Sequence, residues 1–235
     1  MRAMTEAEWL ACAEPQTILD HLRGRATDRK LRLFACACCR LRWESLTDPA
    51  SRAAVTVAEK YADGEAPPQE LKMVRRAAYT QWRFPNPMAA WHAADARARD
   101  GACAAAESVA PRHGAGRDEC GMRLQCDFLR CIFGNPFRPV TFSPDWRTST
   151  AVTLARQMYD ARDFSAMPIL ADALQDAGCD NDESLAHCRD PKGVHVRGCW
   201  VCDLALGKEQ RRRASPSDLY PASGRVMLGA GGACA

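Results

Sequence analysis

Apolar residues recur every three or four positions from Arg29 to Trp43, at Leu31, Phe34, Ala35, Cys38 and Leu41, with arginines mostly off that stripe. The spacing predicts a core helix. Shorter patterns flank it. Thr5-Glu-Ala-Glu8 has the form of a capping box ahead of Trp9 and Leu10, and Pro15 suits the first turn of a helix from Gln16 to Leu22. Asp48-Pro49 opens a helix that Gly64 stops after Tyr61, and Pro67-Pro68 opens another running to Trp82. Pro85-Asn-Pro87 breaks the chain before a single long alanine-rich helix, expected from Met88 to Ala110.

Pro111 to Gly116 is rich in Gly and Pro and reads as an internal linker. Asp118 can cap the next helix, which carries Met122, Cys126, Leu129 and Ile132 into Phe133-Gly134. The proline-punctuated stretch Phe137 to Pro144 reads as a loop. Beyond it the patterns predict helices from Asp145 or Ser149 with Val152, Leu154, Ala155, Met158 and Tyr159 in the core, and from Ser165 to Ala177 with Gly178 as its stop. Two short ones follow, Asp182 to Cys188 and Arg197 to Leu206. No stretch shows the period-two alternation of a strand. The expected fold is all-α: an irregular helical bundle of about eight to ten helices, in two subdomains over residues 1–110 and 117–207. Residues 208–235, with Arg211-Arg-Arg213 and a Gly/Ala-rich end, read as a disordered tail.

Composition adds constraints. The 235 residues are 47% hydrophobic and 26% charged, as in ordinary globular chains. No apolar run of about 18 residues occurs, which argues against a membrane span. The polar, acidic start points to the cytoplasm rather than export. A net charge of +3, not gathered into one basic region, argues against nucleic acid as a partner. Thirteen cysteines at irregular spacing, without an export signal, read as reduced thiols serving as small hydrophobes.

Several phrases carry a resemblance. They are Met4-Thr-Glu-Ala-Glu-Trp-Leu-Ala-Cys12, Asp28-Arg-Lys-Leu-Arg-Leu-Phe-Ala35, Phe133-Gly-Asn-Pro-Phe-Arg-Pro-Val140, Pro168-Ile-Leu-Ala-Asp-Ala-Leu174 and His195-Val-Arg-Gly-Cys-Trp-Val201. Across residues 4–208 the chain resembles an uncharacterised family of planctomycete bacteria of the Gemmata type. The resemblance implies no activity, cofactor or catalytic residue. The chain departs from that family's pattern at Cys202, where relatives carry an apolar residue.

The sharpest candidate chemistry is a metal site. Cys199-x-x-Cys202 with His187, Cys188 or His195 offers the thiolates and imidazoles that zinc takes in tetrahedral array. The same spacing on a helix also suits a buried core stripe. Cys36-x-Cys-Cys39 is poorer, because neighbouring helical positions splay by about 100°. No phosphate loop, zinc-hydrolase motif or nucleophile elbow occurs. The loop Gly134 to Pro139, with Asn135, Phe137 and Arg138, is stiffened by prolines and suits either partner recognition or a clasp between the two halves. The leading expectation is a non-enzymatic helical module that binds an unknown protein partner. The alternative is a zinc- or thiol-dependent protein built on His187, Cys188, His195, Cys199 and Cys202.

Overall fold

The computed structural model of the protein describes residues 4–80, 87–109, 112–113, 116–117 and 119–208. Its helices are α1 (Glu6–Ala11), α2 (Pro15–His21), α3 (Asp28–Leu41), α4 (Pro49–Ala62), α5 (Pro68–Thr80) and α6 (Pro87–Ala93). They continue with α7 (Ala98–Val109), α8 (Glu119–Phe133), α9 (Ser149–Ala161), α10 (Met167–Asp176), α11 (Asp182–Arg189) and α12 (Trp200–Ala205). Strand structure among the described residues is one two-residue antiparallel pair, β1 (Arg112–His113) with β2 (Gly116–Arg117), in the stretch expected to be a linker. The fold is all-α. The tail expected after residue 208 lies outside the described residues.

Side chains cap the starts of several helices. Thr5 accepts from the Glu8 amide while Glu8 accepts from the Thr5 amide at 2.8 Å, closing a capping box. Thr27, Asp48, Thr148 and Asn181 cap α3, α4, α9 and α11, each side chain accepting from the amide three residues on, and α9 starts at Ser149 rather than at Asp145.

The twelve α-helices among the described residues exceed the expected eight to ten, in part because the single helix expected from Met88 to Ala110 is two. After α6 the chain turns at Asp95, whose carboxylate accepts from the Arg97 amide at 2.9 Å, and the buried Arg32 guanidinium binds the Ala93 carbonyl at 3.0 Å and that of Asp95. These bonds take up carbonyls that a continuous helix would have used internally. The returning helix α7 then packs on α6 so closely that a Cβ on Gly101 would stand 2.3 Å from the His92 carbonyl oxygen. Alanine runs favour a helix wherever it is placed; they carry no signal for this turn.

The core falls into two clusters. The first gathers α1 to α8 around α3, of which ten residues are buried. The second gathers α9 to α12. Helix α8 serves both, with Phe128, Leu129 and Ile132 in the first and Cys131 in the second.

A buried polar network ties the two clusters together. The Arg29 guanidinium bridges Asp203 (2.5 and 2.9 Å) and Asp63 (2.8 Å), and it donates to the Tyr159 hydroxyl at 2.6 Å. Arg197 and Lys208 close on the other oxygen of Asp63 at 2.7 and 3.2 Å. Burial opposes the charge on Arg29, but the Asp203 carboxylate outweighs it and holds the guanidinium protonated far above its ordinary range. Buried ions survive only when paired in this way. The consequence for function is positional: α3, the end of α4, α9 and the start of α12 are fixed around residues 197–203.

Candidate metal centre

Those residues bring four soft or imidazole donors together. One ligand atom from each of Cys131, His187, His195 and Cys199 lies within 4.8 Å of the other three. Cys131 comes from the last turn of α8, and His187 from the last turn of α11. His195 comes from the loop that follows, and Cys199 is the residue before α12. Both cysteines are buried and both histidines are partly buried.

Local geometry aims these atoms inward. Cys199 occupies the N-cap of α12 with an extended ψ of 126°, so its side chain leaves the helix direction. Its sulfur meets Nε2 of His187 at 3.3 Å and Nδ1 of His195 at 4.0 Å. The backbone amide of Val196 donates to Cys131 Sγ at 3.4 Å, and the Cys199 amide donates to the Val196 carbonyl at 2.9 Å. That tight turn needs Gly198 at a φ of +96°, where only glycine is at ease. A Cβ there would also stand 2.9 Å from Leu33 Cδ1 on α3. The two imidazoles meet edge to face with centroids 4.8 Å apart, and the Trp200 ring lies 5.3 Å from His187 and shields it.

Electrostatics divide the thiols. Burial works to raise Cys199, but the thiols of Cys131 and Cys202 donate to its sulfur and His187 stands beside it, and together they hold it well below the ordinary thiol range. Cys131 is pushed up by burial and by its role as donor. Cys202 is pushed up first by that role and then by burial. Two imidazoles and two sulfurs are the donor set of tetrahedral zinc, and hard cations that prefer oxygen find none among these four.

Of the residues singled out in the sequence, His187, His195 and Cys199 fall within this group. Cys202 lies one helical turn on; it neighbours Cys199, and its thiol also turns toward the Met167 sulfur at 3.6 Å. Cys188 is buried in the second core cluster, where burial pushes its thiol up. Neither belongs to the four. Cys131 completes the set from the other face of α8, the one turned to the second core cluster rather than to the stripe of Cys126, Leu129 and Ile132. Cys36, Cys38 and Cys39 are buried in the first cluster.

The loop after α8 is engaged within the chain. Asn135 donates to Glu6 at 2.7 Å, Arg138 pairs with Glu6 at 2.6 Å and Glu183 at 2.8 Å, and the Phe137 ring stacks on His21 with centroids 5.6 Å apart. It thus links α1, α2 and α11. Among the described residues no helix is long and apolar enough to cross a membrane. Comparison with protein-family models, with curated proteins and with solved structures finds no match to this chain.

Proposed function

We propose that the protein is a non-enzymatic, zinc-stapled helical module, with one zinc ion held by Cys131, His187, His195 and Cys199. The observation that carries this reading is the convergence of four ligand atoms, from two helices, a loop and the cap of a third helix, within 4.8 Å of one another. Four protein ligands would fill a tetrahedral shell and leave no position for a reacting water, which favours a structural over a catalytic ion. The ion would join the end of α8 to α11 and α12, two short helices of eight and six residues. Because the Gly134–Pro139 loop spends its polar groups on Glu6 and Glu183, its part in the proposal is that of a clasp.

The test is elemental analysis and thiol counting on protein purified under reducing conditions without chelator. About one zinc per chain is expected, with Cys131 and Cys199 protected from thiol reagents until chelator is added. Cys131→Ser or Cys199→Ser should lose the ion; Cys188→Ala should keep it. A metal-free chain with no protected thiol, or a Cys131→Ser variant that retains full zinc, would defeat the reading.

A further inference from the structure

Beside His195, on the side of α3 and α4, the structure encloses a cavity of about 300 Å³. That is the lower end of the size range of small-ligand sites. Leu33, Ala37 and Val196 supply apolar lining, and the rings of Trp43 and Phe164 add aromatic surface. The polar groups are Glu59, the His195 imidazole and three guanidiniums, those of Arg40, Arg162 and Arg197.

The charges do not balance. Glu59, 2% exposed, takes both Arg40 (3.0 and 2.9 Å) and Arg162. Burial works to raise the Glu59 carboxyl, but the two arginines overcome it and keep it ionised below its ordinary range. Arg197 is matched by Asp63, which it shares with Arg29 and Lys208. Two guanidiniums thus face the cavity over a single carboxylate, leaving one positive charge in excess. Each spends Nε and Nη2 on Glu59, so Nη1 of each remains to meet a ligand. Arg40 is held in place by stacking on Trp43, 3.7 Å from the ring centroid. The side chains of Arg40 and Arg162 are 23% and 33% exposed, which puts the mouth of the cavity at the charged end.

We infer that this cavity binds a small organic carboxylate with an apolar body, its carboxylate at Arg40 and Arg162 and its body against Leu33, Ala37 and Val196. A guanidinium pair recognises a carboxylate by charge-assisted bonds, and an apolar lining of this kind selects against a bare inorganic anion. The site goes beyond the zinc reading. Its charged groups come from α3, α4, the end of α9 and the loop before α12; none is a proposed metal ligand, and the two sites share only the His195 wall.

The experiment uses the full chain as purified and phenylacetate as the probe, with phenylacetamide and acetate as comparators, followed by calorimetry and by Trp fluorescence. Saturable binding of phenylacetate is expected, with both comparators weaker by roughly tenfold or more. Arg162→Met should weaken phenylacetate by a similar factor while the zinc content stays unchanged. Ala37→Phe fills the cavity and leaves all three guanidiniums in place, and it should abolish binding. Absence of saturable binding at millimolar phenylacetate, equal binding of the acid and its amide, or unaltered binding by a folded Ala37→Phe variant would each overturn the inference. If either variant loses its cooperative unfolding transition, the acid-against-amide comparison on the unaltered chain decides.

Discussion

Gly198 is the point at which the helical core and the proposed zinc centre meet, and Gly198→Ala perturbs both. Two costs follow from the structure. The φ of +96° lies where an L side chain is strained, at about 1–3 kcal/mol. The added Cβ would lie 2.9 Å from Leu33 Cδ1 and 3.3 Å from Leu33 Cβ. The first atom is a side-chain end that can swing aside, but the second sits on the α3 backbone and yields little, so the steric part is near the low end of overpacking, about 1 kcal/mol. The sum is about 2–4 kcal/mol. Relief of the clash would push the Val196–Cys199 turn away from α3, moving Cys199 and the amide that caps Cys131. Zinc affinity should therefore fall by roughly tenfold or more. Gly207→Ala is the control: its φ is +67°, yet nothing lies within 4 Å of a Cβ there, so it bears the strain alone. Urea unfolding followed by far-ultraviolet circular dichroism gives the stability of each variant, and competition with a chelating dye gives its zinc affinity. Equal stability losses in the two variants, with zinc affinity unaltered in Gly198→Ala, would refute the reasoning.

Other outcomes follow from the buried charges and the clasp. Arg29→Met strands Asp203 and weakens the hold on Asp63, and should cost about 3–5 kcal/mol in urea unfolding; Arg29→Met with Asp203→Leu should recover much of it. Glu59 and Asp63 are desolvated, yet their arginine partners hold both below their ordinary values of 4.5 and 3.8. Their stabilisation is thus present above those values and lost as pH falls through the lower, folded ones. Asp203, which burial pushes upward, works in the opposite sense and offsets part of this. A thermal-unfolding series should show the midpoint dropping on acidification below about pH 4, and Glu59→Gln should flatten that fall. Asn135→Ala removes the bond to Glu6 and should cost about 1 kcal/mol in urea unfolding while leaving the zinc content intact.

Much of the fold was legible because the helix signals are local. Thr5 with Glu8 and Asp48 with Pro49 each set a start within one turn of the chain. The division between α6 and α7 was not legible, since it depends on Arg32 reaching across from α3 to carbonyls 61 and 63 residues away. The candidate site shows the same contrast. His187, His195 and Cys199 stand close in sequence and invite attention together. Cys131 is 65 residues from Val196, whose amide binds its sulfur, and nothing near it in the sequence points to the other three ligands. Cys202 was drawn in by a Cys-x-x-Cys reading that put both cysteines inside one helix. The helix begins at Trp200, so Cys199 is its extended cap and Cys202 lies in its first turn, beside Cys199 but outside the group of four. The cavity had no sequence signature at all, because Arg40, Glu59 and Arg162 lie on three helices or their ends.

X-ray absorption at the zinc edge tests the central claim most directly. The four-residue centre predicts a shell of two sulfurs at about 2.3 Å and two imidazole nitrogens at about 2.0–2.1 Å, with one sulfur lost in Cys131→Ser. A shell of three or four sulfurs would mean that Cys202 or Cys188 holds the ion in place of a histidine. That result, or a sulfur count unmoved by Cys131→Ser, would contradict the account.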